Sequence, residues 1–212
     1  MNNIFRYGIF RILLIIQILN GSNNAKSTSL ISLGISKSYA ISPINTNRLY
    51  IQSSMSFKSL PGNNNYQYYP DIGFGYKVSK NLAFEGSVFN HSLGGFSDQI
   101  IRGGVQYYFG SSDTLSWVSS LKKVNYKSIK NFNLNNITLE ISKWIKYRHN
   151  FFRFGLGSNF YTKDNFLYKQ RGQINFILLN TIIPVKFFQL SFETRMNLDM
   201  FFYSFSFLKD FY

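Results

Sequence analysis

The chain has 212 residues, none of them cysteine, with 45% hydrophobic and 19% aromatic side chains and a formal net charge of +14. That composition leaves no disulfide framework and no thiolate metal site. At a mean hydropathy of −0.11 the chain is too polar for a bundle of membrane helices, yet it carries far more Phe and Tyr than an ordinary soluble domain.

Residues 1–22 have the form of an export signal. Arg6 and Arg11 precede an apolar core from Ile12 to Leu19, and Gly21, Ser22 and Ala25 offer small residues for cleavage, so the cut falls between 22 and 25. The core is too short to span a bilayer, which takes about 20 apolar residues. An N-terminal segment, 23–47, follows. Within it 27–41 alternates, with Ile31, Leu33 and Ile35 set against Ser32, Gly34 and Ser36. It is expected to be an extra strand, a periplasmic arm or an inward-folded plug.

From 48 to 212 the chain alternates apolar and polar residues, the period of a strand whose two faces meet different surroundings. The segments are 48–60, 71–79, 82–90, 99–110, 114–122, 136–147, 151–162, 172–183, 186–197 and 201–211. Short connections at 79–81, 110–113, 148–150 and 184–186 alternate with long ones at 61–70, 91–98, 123–135 and 163–171. The apolar stretch Ile174 to Leu190 tempts a helix reading, but Pro184 would break it and a hairpin fits better. The prediction is an all-β fold: a closed antiparallel up-and-down transmembrane β-barrel of about ten strands, with eight or twelve as neighbouring solutions.

Volume decides which face is outside. Ten strands would send far more Phe, Tyr, Leu and Ile inward than a small barrel can pack. The opposite face carries Gly73, Gly75, Ser87, Gly104, Gln106, Thr138, Gly155, Gly157, Asn159, Gln189 and Ser191, which suit an interior. Glu85, Glu140 and Glu193 share that polar parity with Lys77, Arg102, Arg153 and Arg195. These seven are expected to form a charge network across the lumen, since unpaired charge inside a low-dielectric wall is costly. The six Asp residues, Asp71 among them, are assigned to loops, turns or strand ends. Lys143 falls on the apolar parity, near enough to a strand end to reach headgroups.

Two stretches carry a resemblance. One is Gly73-Phe74-Gly75-Tyr76-Lys77-Val78-Ser79-Lys80-Asn81-Leu82-Ala83-Phe84-Glu85; the other is the terminal run Tyr203-Ser204-Phe205-Ser206-Phe207-Leu208-Lys209-Asp210-Phe211-Tyr212. In these the chain resembles the small single-chain outer-membrane β-barrel proteins of Gram-negative-type bacteria. The resemblance implies an outer-membrane location, with lipid and lipopolysaccharide as surroundings. It also implies that Tyr203, Phe205, Phe207, Phe211 and Tyr212 form the signal read by the barrel-assembly machinery. Tyr212 departs from the usual register by falling on the polar parity.

The expected function is a structural or surface-interaction barrel with a charge-plugged lumen, and not an enzyme. A narrow porin-like channel for small solutes or ions is the alternative. A lipid-A-modifying enzyme is a third reading, resting on His91 and Ser92, which as strand neighbours would point to opposite faces. His149 lies in a turn at the other end. No cofactor or metal is expected, because two His and scattered carboxylates offer no ligand set. Nucleic acid is disfavoured as a partner, since the basic residues are scattered without a recognisable module. Lys122, Lys123, Lys127, Lys130, Lys163, Lys169 and Arg171 are placed around two external loops, where they would meet water or lipopolysaccharide phosphates.

Overall fold

The computed structural model describes residues 26–42, 47–59, 68–93, 96–111, 114–128, 132–165, 169–198 and 200–211. The export-signal stretch, Lys130 and Tyr212 lie outside the described residues. One helix, α1 (Lys26–Ile35), precedes ten strands: β1 (Leu49–Ser59), β2 (Tyr68–Lys77), β3 (Leu82–Leu93), β4 (Phe96–Ser111), β5 (Thr114–Ser128), β6 (Phe132–Tyr147), β7 (Asn150–Asn165), β8 (Lys169–Pro184), β9 (Gln189–Met196) and β10 (Phe201–Phe211). Each pairs antiparallel with its neighbours in sequence. β1 closes on β10 from Leu49↔Phe211 to Ser59↔Phe201. This is the predicted closed up-and-down barrel. Its even count puts the start of β1 and the end of β10 at the same end, that of the short turns. Among the described residues no helix is long and apolar enough to cross a membrane.

Three of the four predicted long loops are largely strand. The ladder runs on through His91↔Asp98, Lys127↔Asn133 and Lys163↔Gln170. Backbone pairing does not depend on which face is apolar, so the ladder persists where the outward residues turn polar and Tyr126, Leu134 and Tyr161 turn inward. β4, β6, β7 and β8 each have 16 residues, whereas about 9–11 span a bilayer. The surplus stands at the end away from the short turns. β9 ends at Met196 opposite Ile177, leaving the first part of β8 to rise above it. At the short-turn end Gly110 takes a φ of 151° where the β4–β5 register shifts, a conformation that glycine adopts without strain. The hairpin at Pro184 turns through Val185–Phe188, closed by Val185 N donating to Phe188 O at 2.8 Å.

The segment with strand-like alternation, 27–41, is the main departure. Lys26–Ile35 is helical, Ser36–Ser42 forms neither helix nor strand, and both lie inside the barrel. Residues 26–42 thus form an inner segment, a plug by position. Every wall strand already has two partners, so a segment in the lumen finds no free sheet edge. Its backbone must bond to itself, which a helix does, or to wall side chains. Ser36 Oγ donates to Leu33 O at 2.9 Å and finishes the last turn of α1.

The lumen is layered. At the long-hairpin end Leu33 and Ile35 of α1 pack with Ile100, Val124, Tyr126, Leu134, Tyr161, Ile174, Phe176, Leu178, Met200 and Phe202. At the short-turn end Tyr39, Ala40 and Ile41 pack with Tyr50, Ala83, Tyr108, Val118, Trp144, Ile182 and Leu208. The polar layer lies between them. The expectation of a wholly small or polar interior is corrected here, since β8 turns Ile174, Phe176, Leu178 and Ile182 inward. They cover the plug, which supplies the apolar partner that an empty lumen would lack.

Candidate functional site

The middle layer holds Glu85, Arg102, Glu140, Arg153, Glu193 and Arg195, and Lys77 lies in the short-turn layer. Lys77, Glu85, Arg102, Glu140, Arg153, Glu193 and Arg195 are all buried on the inner face. Their pairing is mostly sideways along the wall. Glu140 on β6 meets Arg153 on the next strand and Arg195 Nη2 from β9 at 3.4 Å. Arg195 Nε also holds Glu193 on its own strand at 2.9 Å. Among the described residues the Arg195–Glu140 contact, from β9 to β6, comes nearest to the expected bridging across the lumen, whose centre the plug occupies.

Two members were misplaced from the sequence. Asp71, assigned to a strand end, faces the lumen from β2, which begins earlier than its alternation shows, and pairs with Arg102. Lys122, grouped with loop lysines, is 2% exposed and holds Glu85 Oε1 at 3.1 Å. Its parity carried the signal: it follows Ser120 on the polar face of β5. Lys163 likewise faces inward, its Nζ donating to Thr28 Oγ1 of α1 at 3.3 Å. Lys77 is held by a carbonyl and two rings. Its ammonium donates to Ser42 O at 2.6 Å and lies 5.8 and 5.7 Å from the Tyr50 and Tyr108 ring centroids, an arrangement in which ring quadrupoles replace water.

Wall side chains grip the plug chiefly by its main chain. Ser36 O accepts from Lys122 Nζ at 3.0 Å and from Arg195 Nη1 at 2.7 Å. Tyr39 N donates to Glu85 Oε2 at 3.0 Å, and Tyr39 O accepts from Gln106 Nε2 at 2.9 Å. Ala40 N donates to Gln52 Oε1 at 3.3 Å, and Ile41 O accepts from the Tyr108 hydroxyl at 3.3 Å. Register comes from two side chains. A Cβ at Gly73 would overlap the Tyr39 hydroxyl, and one at Gly75 would overlap Ile41 Cδ1. Those glycines are therefore sockets for the plug, and the Tyr39 hydroxyl donates from its socket to Asp71 Oδ2 at 3.1 Å.

The layer also explains why α1 stops at Ile35. A helix with side chains is about 10–12 Å across, and the long side chains of Arg153, Arg195, Lys122, Glu85 and Glu140 narrow the lumen below it. A single non-helical stretch of chain passes where a helix cannot.

The outer face is the opposite. Ile72, Phe74, Phe84, Val88, Ile101, Leu121, Ile137, Leu139, Ile141, Phe154 and Phe192 are all exposed, Leu139 at 49%, while Glu140 beside it is 4% exposed. A continuous apolar exterior around an ionic interior is stable only in hydrocarbon. The chain is a transmembrane β-barrel of outer-membrane type. Around its short-turn end this outer-membrane barrel carries an aromatic and basic girdle. Tyr107, Phe109 and Trp117 stack at 6.3 Å spacings, with Lys143 Nζ 5.4 Å from the Trp117 centroid. Lys209 Nζ reaches Phe187 O at 2.6 Å. Such residues suit the headgroup region. The terminal-strand aromatics Tyr203, Phe207 and Phe211 are exposed, and Phe205, half-buried, stacks edge-on with Phe207 at 4.7 Å.

No protein-family model and no curated protein matches the chain. Among solved structures it is similar to the attachment invasion locus protein Ail of Yersinia pestis, at 8% identity over 77% of this chain and 95% of that one, with a TM-score of 0.33. It is also similar to the translocator domain of autotransporter NalP from Neisseria meningitidis, at 7% identity over 88% and 94%, with a TM-score of 0.42. OmpT, an outer membrane protein of Vibrio cholerae, shares 8% identity over 88% and 74%, with a TM-score of 0.34. The barrel assignment rests on this chain's own two faces and not on these loose likenesses.

Proposed function

We propose that this outer-membrane barrel is a closed, non-catalytic wall protein with a structural or surface-interaction role, its lumen sealed by its own N-terminal segment and the ionic layer around it. The carrying observation is the double closure. Apolar clusters fill both ends of the lumen, and between them ion pairs and hydrogen bonds hold the plug. Long β4–β8 hairpins then form the surface exposed outside the cell, as external loops do in this class. Lys123, Lys127, Lys169 and Arg171 face outward on them, placed to meet lipopolysaccharide phosphates by charge alone. The terminal aromatic strand serves the assembly machinery.

The catalytic alternative draws no support from the arrangement. His91 and Ser92 lie opposite Asp98 and Ser97 in the β3–β4 ladder. His149 is exposed in the β6–β7 turn.

Planar-bilayer recording of the full chain tests the closure. A silent protein whose gel mobility shifts on heating supports it. Steady steps whose size or ion preference changes in Glu140→Gln or Arg153→Gln would establish the channel reading instead.

A further inference from the structure

The plug has a direction. Thr28 sits beside Lys163, close to the β7–β8 hairpin tip, and Leu33 and Ile35 belong to the long-hairpin cluster. Ser38 then lies at Glu140 in the middle layer, and its Oγ donates to Oε2 at 3.2 Å. Ile41 and Ser42 lie at Tyr108 and Lys77 in the short-turn cluster. Asn47 Nδ2 donates to Asp210 Oδ2 at 2.8 Å, and β1 starts two residues later. From Lys26 to Ser42 the chain thus runs through the barrel from the long-hairpin mouth toward the short-turn end.

We propose that the lumen is a conduit for the chain's own N-terminal segment, and that the start of α1 at Lys26 is presented at the long-hairpin mouth, outside the cell. The chemistry of the grip fits a passage. Backbone carbonyls and amides recur in every peptide, so a channel that holds Ser36, Tyr39, Ala40, Ile41 and Ser42 by their main chain accepts successive residues as they pass. The small side chains of Ser36, Ser38, Ala40 and Ser42 alternate with Lys37, Tyr39 and Ile41, so one face of the strap is slim enough to slide. The Gly73 and Gly75 sockets then stop it in register. A plug entering from the short-turn end and folding back would leave its N-terminus on that side, and the cluster memberships show no such return.

The proposal rests on the outer-membrane reading with long hairpins outward, and the natural absence of cysteine gives a clean test. Single variants Lys26→Cys, Ser27→Cys, Lys130→Cys in the β5–β6 connection and His149→Cys in the β6–β7 turn are made in the full chain. Each is checked for the heat-shifted mobility of a folded barrel, and intact cells are exposed to a membrane-impermeant maleimide. Modification of Lys26→Cys or Ser27→Cys to the same extent as Lys130→Cys, with His149→Cys modified only after the outer membrane is permeabilised, supports display. If both plug positions follow His149→Cys, or stay protected while Lys130→Cys reacts, threading to the outside is overturned and the barrel orientation stands. If His149→Cys reacts in intact cells and Lys130→Cys does not, the orientation itself falls, and the proposal with it.

Discussion

The two faces of the same ten strands obey opposite rules. On β6 the outward residues Ile137, Leu139 and Ile141 are exposed, while their neighbours Thr138, Glu140 and Ser142 are buried. The outer face asks only for apolarity, because lipid chains adapt to any shape. The inner face asks for particular atoms, because each charge there is held by a specific partner and the plug by a specific register. Substitutions inside should therefore cost most and depend on exact chemistry, and substitutions outside should depend on polarity and depth.

Glu140→Ala should have the largest effect. It strips Arg153 and Arg195 of their shared carboxylate and leaves buried guanidinium charge, for which a loss of about 3–5 kcal/mol is expected. Urea unfolding from lipid vesicles would show it as a lower midpoint. Leu139→Arg, one residue away on the opposite face, should lose about 2–4 kcal/mol, as for Arg near the bilayer midplane. An equal loss in Leu139→Met would contradict the tolerance ascribed to that face. Gly73→Val sharpens the inner rule. Filling the Tyr39 socket overpacks the lumen at a cost of about 1–3 kcal/mol, and by dislodging the strap it should turn a silent protein into a conducting one in planar bilayers. Smallest of all, Lys143→Ala should change stability by less than about 1 kcal/mol, since its cation sits over Trp117 at the wet edge of the belt.

The wall was legible in the sequence because alternation records two solvents. All ten strands were found, and Glu85, Arg102, Glu140, Arg153, Glu193 and Arg195 fell on the inner parity. Legibility stopped where that contrast inverted. On the upper parts of β5–β7 the outer face carries Asn133, Asn135 and Thr162, while Tyr126, Leu134 and Tyr161 pack inward on the plug, so the apolar-out pattern of the lower wall inverts there and hides the strand ends. The plug misled for a related reason. Ile31, Leu33 and Ile35 alternate as a strand would, but a segment enclosed by a closed sheet has no edge to join, and only the three-dimensional closure reveals that. Asp71 was missed because β2 starts at Tyr68, ahead of its visible alternation. Lys122 was missed because proximity to a basic loop outweighed its parity with Ser120.

The central claim is that apolar side chains face hydrocarbon and ionic ones are enclosed. Depth-dependent fluorescence quenching along β6 tests it most directly. A fluorophore is attached in turn to Ile137→Cys, Thr138→Cys, Leu139→Cys, Ile141→Cys and Ser142→Cys in protein folded into vesicles of acyl-brominated lipid. The account predicts strong quenching at 137, 139 and 141 and little at 138 and 142. Equal quenching at all five positions, or the reverse alternation, would contradict it.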